Sequence, residues 1–225
     1  MRLSIVVPTL DEAAGIAATL AVLQSQRAIG HEVIVVDGGS TDATLSLARP
    51  LADQAIVAAT GRARQMNAGA QVASGDALLF LHADSLLPAN AAEAIGAALT
   101  RGRRWGRFDV TISGRPRVLR MVAAMMNLRS RLTGIATGDQ GLFVERALFD
   151  RIGGYPELPL MEDIALSKAL KVAAGRPACL RARIVTSGRR WERDGPWRTM
   201  ARMWRLRLAY ALGADPAQLA RRYGS

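Results

Sequence analysis

The sequence is short of several things, and each shortage removes a class of protein. Its 225 residues include a single cysteine, Cys179, so no internal disulfide framework can hold the fold, and the usage fits a reducing compartment. No apolar run approaches the roughly 18–20 residues needed to span a bilayer. The run at residues 3–7 is too short for a signal-peptide core, and no small-residue cleavage site follows it. A cytoplasmic location is expected, with peripheral contact at the inner face of the cell membrane left open. The first loop, Pro8-Thr9-Leu10-Asp11-Glu12, has no glycine and no basic residue. That argues against a nucleotidyltransferase, which meets its triphosphate with both. A dehydrogenase would want Gly-x-Gly-x-x-Gly after the first strand, and it is missing. Interleaved aromatics, a helix-turn-helix pattern and zinc spacing are lacking too, so no nucleic acid is expected as a partner.

Acidic residues are outnumbered. Lys and Arg total 30 against 19 Asp and Glu, a formal net charge of +11, carried almost entirely by arginine. Such a surplus attracts phosphates, anionic lipid or nucleic acid, and charge alone does not choose among them. It is uneven: residues 1–100 are poor in basic groups, while 101–131 and 181–222 are dense in them. The polyanion-facing surface is therefore expected from the second half.

Half of the residues are hydrophobic, enough for one sizeable core and one domain. A continuous apolar, β-branched run at 3–7 reads as a buried parallel strand, with further strands at 32–36 and 77–81 and a shorter one at 55–58. Helical spacing at 11–23, 42–48, 64–73 and 88–99 alternates with them, and Asp11 is placed as the N-cap of the first helix. This β-α-β-α order predicts a parallel sheet with helices on both faces. Beyond residue 104 the pattern reads as a strand at 105–112, a helix at 116–132, a short strand at 141–144, a helix at 164–174, a strand at 181–186 and a helix at 197–212. In such sheets ligands bind outside the carboxyl ends of the strands. That rule selects residues 8–12, 37–40 and 82–84, three strand ends that bring carboxylates to one edge.

Each candidate has a plain structural alternative. Asp37 ends a buried strand, where a carboxylate without a donor is costly. It either contacts a ligand or organises the turn, and Asp42 reads as a carboxylate favoured by the next helix N-terminus. Asp84 either holds Mg²⁺ or Mn²⁺ against a diphosphate, a duty that needs only one or two protein carboxylates, or simply begins a turn. His82 reads as a hydrogen-bonded structural histidine. Glu162 and Asp163 suit the first turn of a helix.

Taken together the motifs resemble glycosyltransferase family 2. Val6-Val7-Pro8-Thr9-Leu10-Asp11-Glu12 looks like its opening strand and loop, and Asp37-Gly38-Gly39-Ser40-Thr41-Asp42 like its second signature. Asn67-Ala68-Gly69 with Ala73-Ser74-Gly75-Asp76 looks like the segment before its metal motif. His82-Ala83-Asp84 stands where the family has Asp-x-Asp, and Glu162-Asp163 looks like its later acidic pair. The match runs in family order over residues 4–191. It is nearer still to a small bacterial subgroup marked by residues 61–67, 81–84, 138–141 and 187–191, some of whose members carry names suggesting carotenoid or other lipid-like acceptors.

The resemblance implies a GT-A fold, that is, a Rossmann-like, mostly parallel sheet with helices on both faces, here with a C-terminal amphipathic helix. Residues 1–104 would form a nucleotide-sugar-binding half, 105–191 an acceptor and catalytic half, and 192–225 a basic helical segment. It implies an inverting, non-processive transfer of sugar from a nucleotide-diphosphate-sugar to a hydroxyl or carboxyl acceptor, small or lipid-like. Pro8, Thr9, Glu12, Asp37, Arg64, Asn67 and Asp84 would bind the nucleotide-sugar. Asp84 would hold Mg²⁺ or Mn²⁺, and Asp163 would be the catalytic base. Asp139, Gln140, Glu162, Arg190 and Trp191 would meet the acceptor. Three departures stand out. His82 replaces the first Asp of the metal motif. Met66 stands where many members have an Arg, with Arg62 or Arg64 available to replace it. Ser187 replaces the Gln of the processive synthases. The alternatives are a weak or inactive nucleotide-binding protein of this fold and a basic peripheral membrane or nucleic-acid-binding protein.

On the 197–212 helix, Trp197, Met200, Trp204, Leu208 and Ala211 share one arc, and Arg198, Arg202 and Arg205 another. Either the apolar arc packs on the sheet or the helix lies in an anionic membrane interface. The 116–132 helix, Arg-flanked with a Met-rich side, poses the same choice.

Overall fold

The structure is a computed structural model and describes residues 1–224. The first half runs β1 (Leu3–Thr9), α1 (Ile16–Ala28), β2 (Glu32–Asp37), α2 (Thr44–Ala48), β3 (Gln54–Val57), α3 (Arg62–Val72), β4 (Ala77–Phe80), a short β5 (Ser85–Leu86) and α4 (Ala91–Thr100). The second half runs β6 (Trp105–Ile112), α5 (Val118–Thr133), a 3-10 turn (Gly138–Gln140), β7 (Leu142–Glu145), α6 (Arg146–Arg151), α7 (Glu162–Ala174), β8 (Ala178–Thr186), α8 (Arg189–Asp194), α9 (Pro196–Ala211) and α10 (Pro216–Gly224).

All strands join one sheet, in the order β3-β2-β1-β4-β7-β6-β8-β5. β3, β2, β1 and β4 are mutually parallel, as expected from the βα alternation. β7 enters antiparallel to β4 and β6, while β6 and β8 pair in parallel. The alternation of side chains along each strand builds two cores. Ile5, Val7, Val33, Val35, Leu79 and Phe143 face α1, α2 and α4. Their neighbours Val6, Ile34, Val36, Leu78, Leu142 and Val144 face α3, α6 and α7. Strands buried on both sides read as unbroken apolar runs for this reason. α3 lies close on its face because Gly69 has no side chain; a Cβ there would sit 2.4 Å from Val6 Cγ1.

Several boundaries move. α1 starts at Ile16 with Gly15 as its N-cap, not at Asp11. Asp11 instead sits at φ +50 and accepts the Thr41 N–H at 2.8 Å. Loop-to-loop bonding, invisible to local helix statistics, took that carboxylate. β5, α6, α8 and α10 are additional elements. Three of them are under eight residues and carry too little periodicity to be seen in sequence.

The second half is pinned by a buried ionic network. Arg107 on β6 is fully buried and bonds Asp109, the Ser130 hydroxyl at 3.0 Å and the Asn127 carbonyl at 3.1 Å. Arg131 reaches the same carboxylate through two bonds, at 2.6 and 2.8 Å. Asn127 adds a two-way clamp on the Val110 backbone, at 2.9 and 3.0 Å. α5 is thus held to β6 by its polar side. Removing the acid strands a buried guanidinium, so Asp109→Ala should cost about 3–5 kcal/mol. Urea denaturation checks it, and a loss under about 1 kcal/mol would mean the network contributes little.

Candidate functional site

The cavity lies where the chain leaves β1, β2 and β4. β1 pairs with β2 on one side and β4 on the other, so their carboxyl ends open a crevice between them. A cavity of about 1190 Å³ occupies this edge. Its floor is the loop after β1, with Pro8, Thr9, Asp11 and Glu12, and the loop after β4, with His82 and Asp84.

The two loops after β1 and β2 are knitted together. Ser40 Oγ accepts the Asp11 N–H at 2.9 Å, Thr44 Oγ1 accepts the Glu12 N–H at 2.8 Å, and Asp42 accepts the Ala13 N–H at 3.1 Å. Asp42 also accepts the Thr44 N–H at 2.9 Å, so it is committed to the turn as expected. Asp37 is buried and receives bonds from the Gly39 and Ser40 N–H groups (3.0 and 2.8 Å) and from the Ser40 and Thr9 hydroxyls (2.5 and 3.3 Å). A ligand contact by Asp37 would have to displace one of these. Gln65 donates at 2.8 Å to the carbonyls of both Thr9 and Val36, fixing the mouths of β1 and β2.

The far wall comes from the 3-10 turn and the start of α7. Met161, in the left-handed region at φ +68, turns the chain so that Glu162 and Asp163 enter the cavity side by side. Asp163 accepts the Gly138 N–H at 2.9 Å and its neighbour's N–H, that of Ile164, at 2.8 Å. Burial pushes the Asp163 carboxyl up, against those two bonds and the Arg62 charge, and Asp139 pushes it further. Glu162 is raised by burial and then by Asp163, with Arg62 opposing. The pair holds protons more tightly than free carboxylates do.

His82 faces Asp139, Nδ1 to Oδ1 at 3.5 Å. Burial raises the Asp139 carboxyl, but His82, Arg62 and Arg190 outweigh it and hold the group below its usual range. Gly138 is what admits the imidazole: a Cβ there would lie 2.1 Å from His82 Nε2. The last wall is α8 and its approach. Arg189 spans the mouth to Glu12 at 3.0 Å, the Ser187 N–H meets the Asp84 carbonyl at 3.1 Å, and Arg190 and Trp191 line the interior.

Of the residues singled out in sequence, Pro8, Thr9, Glu12, Asp84, Asp139, Glu162, Asp163, Arg190 and Trp191 share this cavity. Four do not line it: Asp37 is buried behind the β1 loop in its turn bonds, and three others point elsewhere. Arg64 turns outward to Glu157 at 3.2 Å, and Arg62, two residues earlier on α3, takes the cavity side. The Asn67 amide clamps the Tyr155 backbone at 2.9 and 2.8 Å. Gln140 is fully buried, closing a capping box with Thr137. Sequence reading missed Gln65 and Arg129. Arg129 reaches in from α5; burial lowers its pKa, while Asp163 and Asp139 raise it. A basic residue among exposed-looking arginines carries no local mark of this. Among the described residues no group of three metal-ligating side chains exists. A lone carboxylate, Asp84, fits an ion that takes its other ligands from a diphosphate and water rather than a protein-only metal site.

The sequence model described as Glycosyl transferase family 2 matches residues 4–144. A PGL/p-HBAD biosynthesis glycosyltransferase of Mycobacterium tuberculosis is 40% identical over 91 residues, 37% of this chain and 36% of the relative. The chain thus spans about a third of the length of the curated relatives it matches. S. aureus TarS 1-349, solved with UDP-GlcNAc, superposes at TM-score 0.67 with 22% identity over 83% of this chain and 58% of its own. Mannosyltransferase PcManGT from Pyrobaculum calidifontis, solved with GDP-Man and Mn²⁺, gives 0.64 and 22% over 99% and 79%. Glucosyl-3-phosphoglycerate synthase from Mycobacterium tuberculosis, solved with Mn²⁺ and UDP, gives 0.60 and 18% over 82% and 70%. At these identities the likeness is one of fold.

The raised Glu162–Asp163 pair has a consequence for stability. The folded state keeps protons that the unfolded chain releases near pH 4, so stability falls as pH rises through the pair's folded values and the penalty is complete above them. Asp163→Asn keeps one acceptor for the Gly138 N–H but sets an amide donor against the Ile164 N–H, so the expected mark is its pH dependence: its stability should fall less than that of wild type from pH 4 to 8. Denaturant midpoints from pH 4 to 8 measure this. A variant whose stability falls with pH as steeply as that of wild type contradicts the assignment.

Proposed function

The chain belongs to glycosyl transferase family 2, and from that premise we propose that it moves a sugar from a nucleoside-diphosphate donor to a hydroxyl or carboxyl group of an acceptor, once per encounter and with inversion. The observation that carries this reading is the meeting, in one cavity, of the strand-end loops on one side and the raised carboxylate of Asp163 on the other. Residues 1–104 serve the donor and 105–191 the acceptor.

Pro8, Thr9 and Glu12 receive the nucleotide at the crevice, and Asp37, bonded to Thr9 behind that loop, would meet the base only by giving up one of its turn bonds. Arg62 faces the diphosphate, and Arg190 lies between the diphosphate and the acceptor. Asp84 would hold Mg²⁺ or Mn²⁺ there, and that ion would supply charge neutralisation on the departing diphosphate. Asp139, Glu162 and Trp191 border the acceptor.

The acceptor oxygen lies against Asp163, which takes its proton as the oxygen attacks the anomeric carbon. The carbon–oxygen bond to the diphosphate breaks as the new one forms, and the electron pair leaves with the diphosphate toward Arg62 and Arg190. One displacement at one face inverts the carbon. The raised pKa of Asp163 makes it a better base than a free carboxylate, at the cost of needing a higher pH to be ionised. A carboxyl acceptor is ionised already and would depend on Asp163 less.

General-base help of this kind amounts to about 10²–10⁴-fold. Asp163→Asn should lose that much turnover on a hydroxyl acceptor while still binding nucleotide, and wild-type turnover would refute its role. A panel of nucleoside diphosphates with Mn²⁺ or chelator tests the donor site by thermal shift. Saturation at about 100 times the dissociation constant adds roughly 2.7 kcal/mol. We expect a metal-dependent shift with one base that Asp84→Ala abolishes. Binding without turnover in the wild type would instead mark a nucleotide-binding protein that has kept the fold.

A further inference from the structure

α5 sets a small apolar patch and a group of polar side chains against β6 and leaves an apolar stripe outside. Asn127, Ser130 and Arg131 are spent on β6, while Met121, Met125, Leu128 and Leu132 are exposed. Their spacing of four, three and four residues makes one continuous stripe along the outer face. α9 does the same. It is anchored by the buried face of Thr199 and Leu206, the latter packed with Leu219 of α10 and Met161. Its predicted apolar arc is not against the sheet: Trp197, Trp204 and Leu208 are 63%, 64% and 62% exposed, and Leu212 beyond the helix is 79% exposed.

The two stripes border one opening. Met125, Leu128 and Leu132 from α5 and Trp204 from α9 line the same cavity that holds Asp163. Exposed arginines stand beside them: Arg117 and Arg120 on α5, Arg198 and Arg205 on α9. An apolar ridge bearing Trp and flanked by cations complements the acyl boundary and headgroups of an anionic bilayer. A second copy of this chain is a poor occupant. With a net charge of +11, apposed copies would set these arginines against one another.

We propose that the rim formed by α5 and α9 seats on an anionic lipid surface, and that the apolar half of the cavity is the passage by which a lipid-borne acceptor reaches Asp163. The identity of what travels there rests on the transferase reading; the docking does not. Exposed apolar side chains at the mouth then have a purpose, since the opening is sealed by lipid rather than by protein.

The test is flotation with vesicles of phosphatidylcholine alone or mixed with phosphatidylglycerol, read together with quenching of tryptophan by brominated acyl chains. Wild type should float with the anionic vesicles, more weakly as salt rises, and be quenched by bromolipid. The triple variant Met121→Gln, Trp197→Gln, Leu208→Gln leaves the cavity lining intact and changes only exposed positions. It should keep its melting temperature and its nucleoside-diphosphate shift while losing roughly tenfold or more in vesicle binding. No flotation with anionic vesicles, equal flotation with neutral ones, or dimerisation that the triple variant abolishes would each overturn the proposal. Vesicle binding without any nucleotide shift would instead leave the docking standing and remove the transferase reading.

Discussion

Everything at the site depends on β1 being paired in parallel with both β2 and β4. Parallel pairing sends all three chains out at the same edge, and with β1 between β2 and β4 their exits stand side by side there. Thr9, Asp37 and the loop ending at Asp84 are therefore neighbours although they lie far apart in sequence. Burying β1 and β2 completely on both faces makes this edge rigid. The hydrogen bonds among Asp11, Ser40, Thr41, Asp42 and Thr44 extend the rigidity into the loops. A donor would meet a preorganised floor, so little of its binding energy would go to ordering chain.

Against that floor the second half sets a cluster that costs stability. Glu162 and Asp163 repel one another in a partly desolvated wall, and Met161 takes a backbone conformation unfavourable to a side chain in order to present them. Such features persist only where surrounding structure over-determines them. Here Gly138 does two jobs: its N–H holds Asp163, and its missing side chain makes room for His82, which in turn holds Asp139. His82 is thus matched by its neighbours. It joins the loop after β4 to the turn before β7, where an aspartate would meet Asp139 with like charge.

The Arg107–Asp109–Arg131 network explains how α5 can turn apolar residues outward. A helix normally earns its place by burying its apolar face. α5 is held instead by charge-assisted bonds to β6 and by a small buried patch at Leu119, Val122 and Ala123. Its remaining apolar stripe is left over and lies at the cavity mouth. α9, fastened through Leu206, completes the same rim.

The central strands, the parallel half-sheet and the edge where the cavity opens were legible in the residues, because unbroken apolar runs and βα alternation are local patterns with one economical packing. Asp84, Asp139, Glu162, Asp163, Arg190 and Trp191 could be named from motif resemblance, and they do share one cavity. Other choices could not be read. Whether Arg62 or Arg64 faces the cavity depends on how α3 is rotated against the sheet. The withdrawal of Asn67 and Gln140 depends on partners about 88 and 3 residues away, Tyr155 and Thr137. The outward turn of α5 and α9 depends on which face wins the competition for the core. An amphipathic sequence states only that two faces differ. Which one is buried is decided by what the rest of the chain brings against it, and here β6 brought charge.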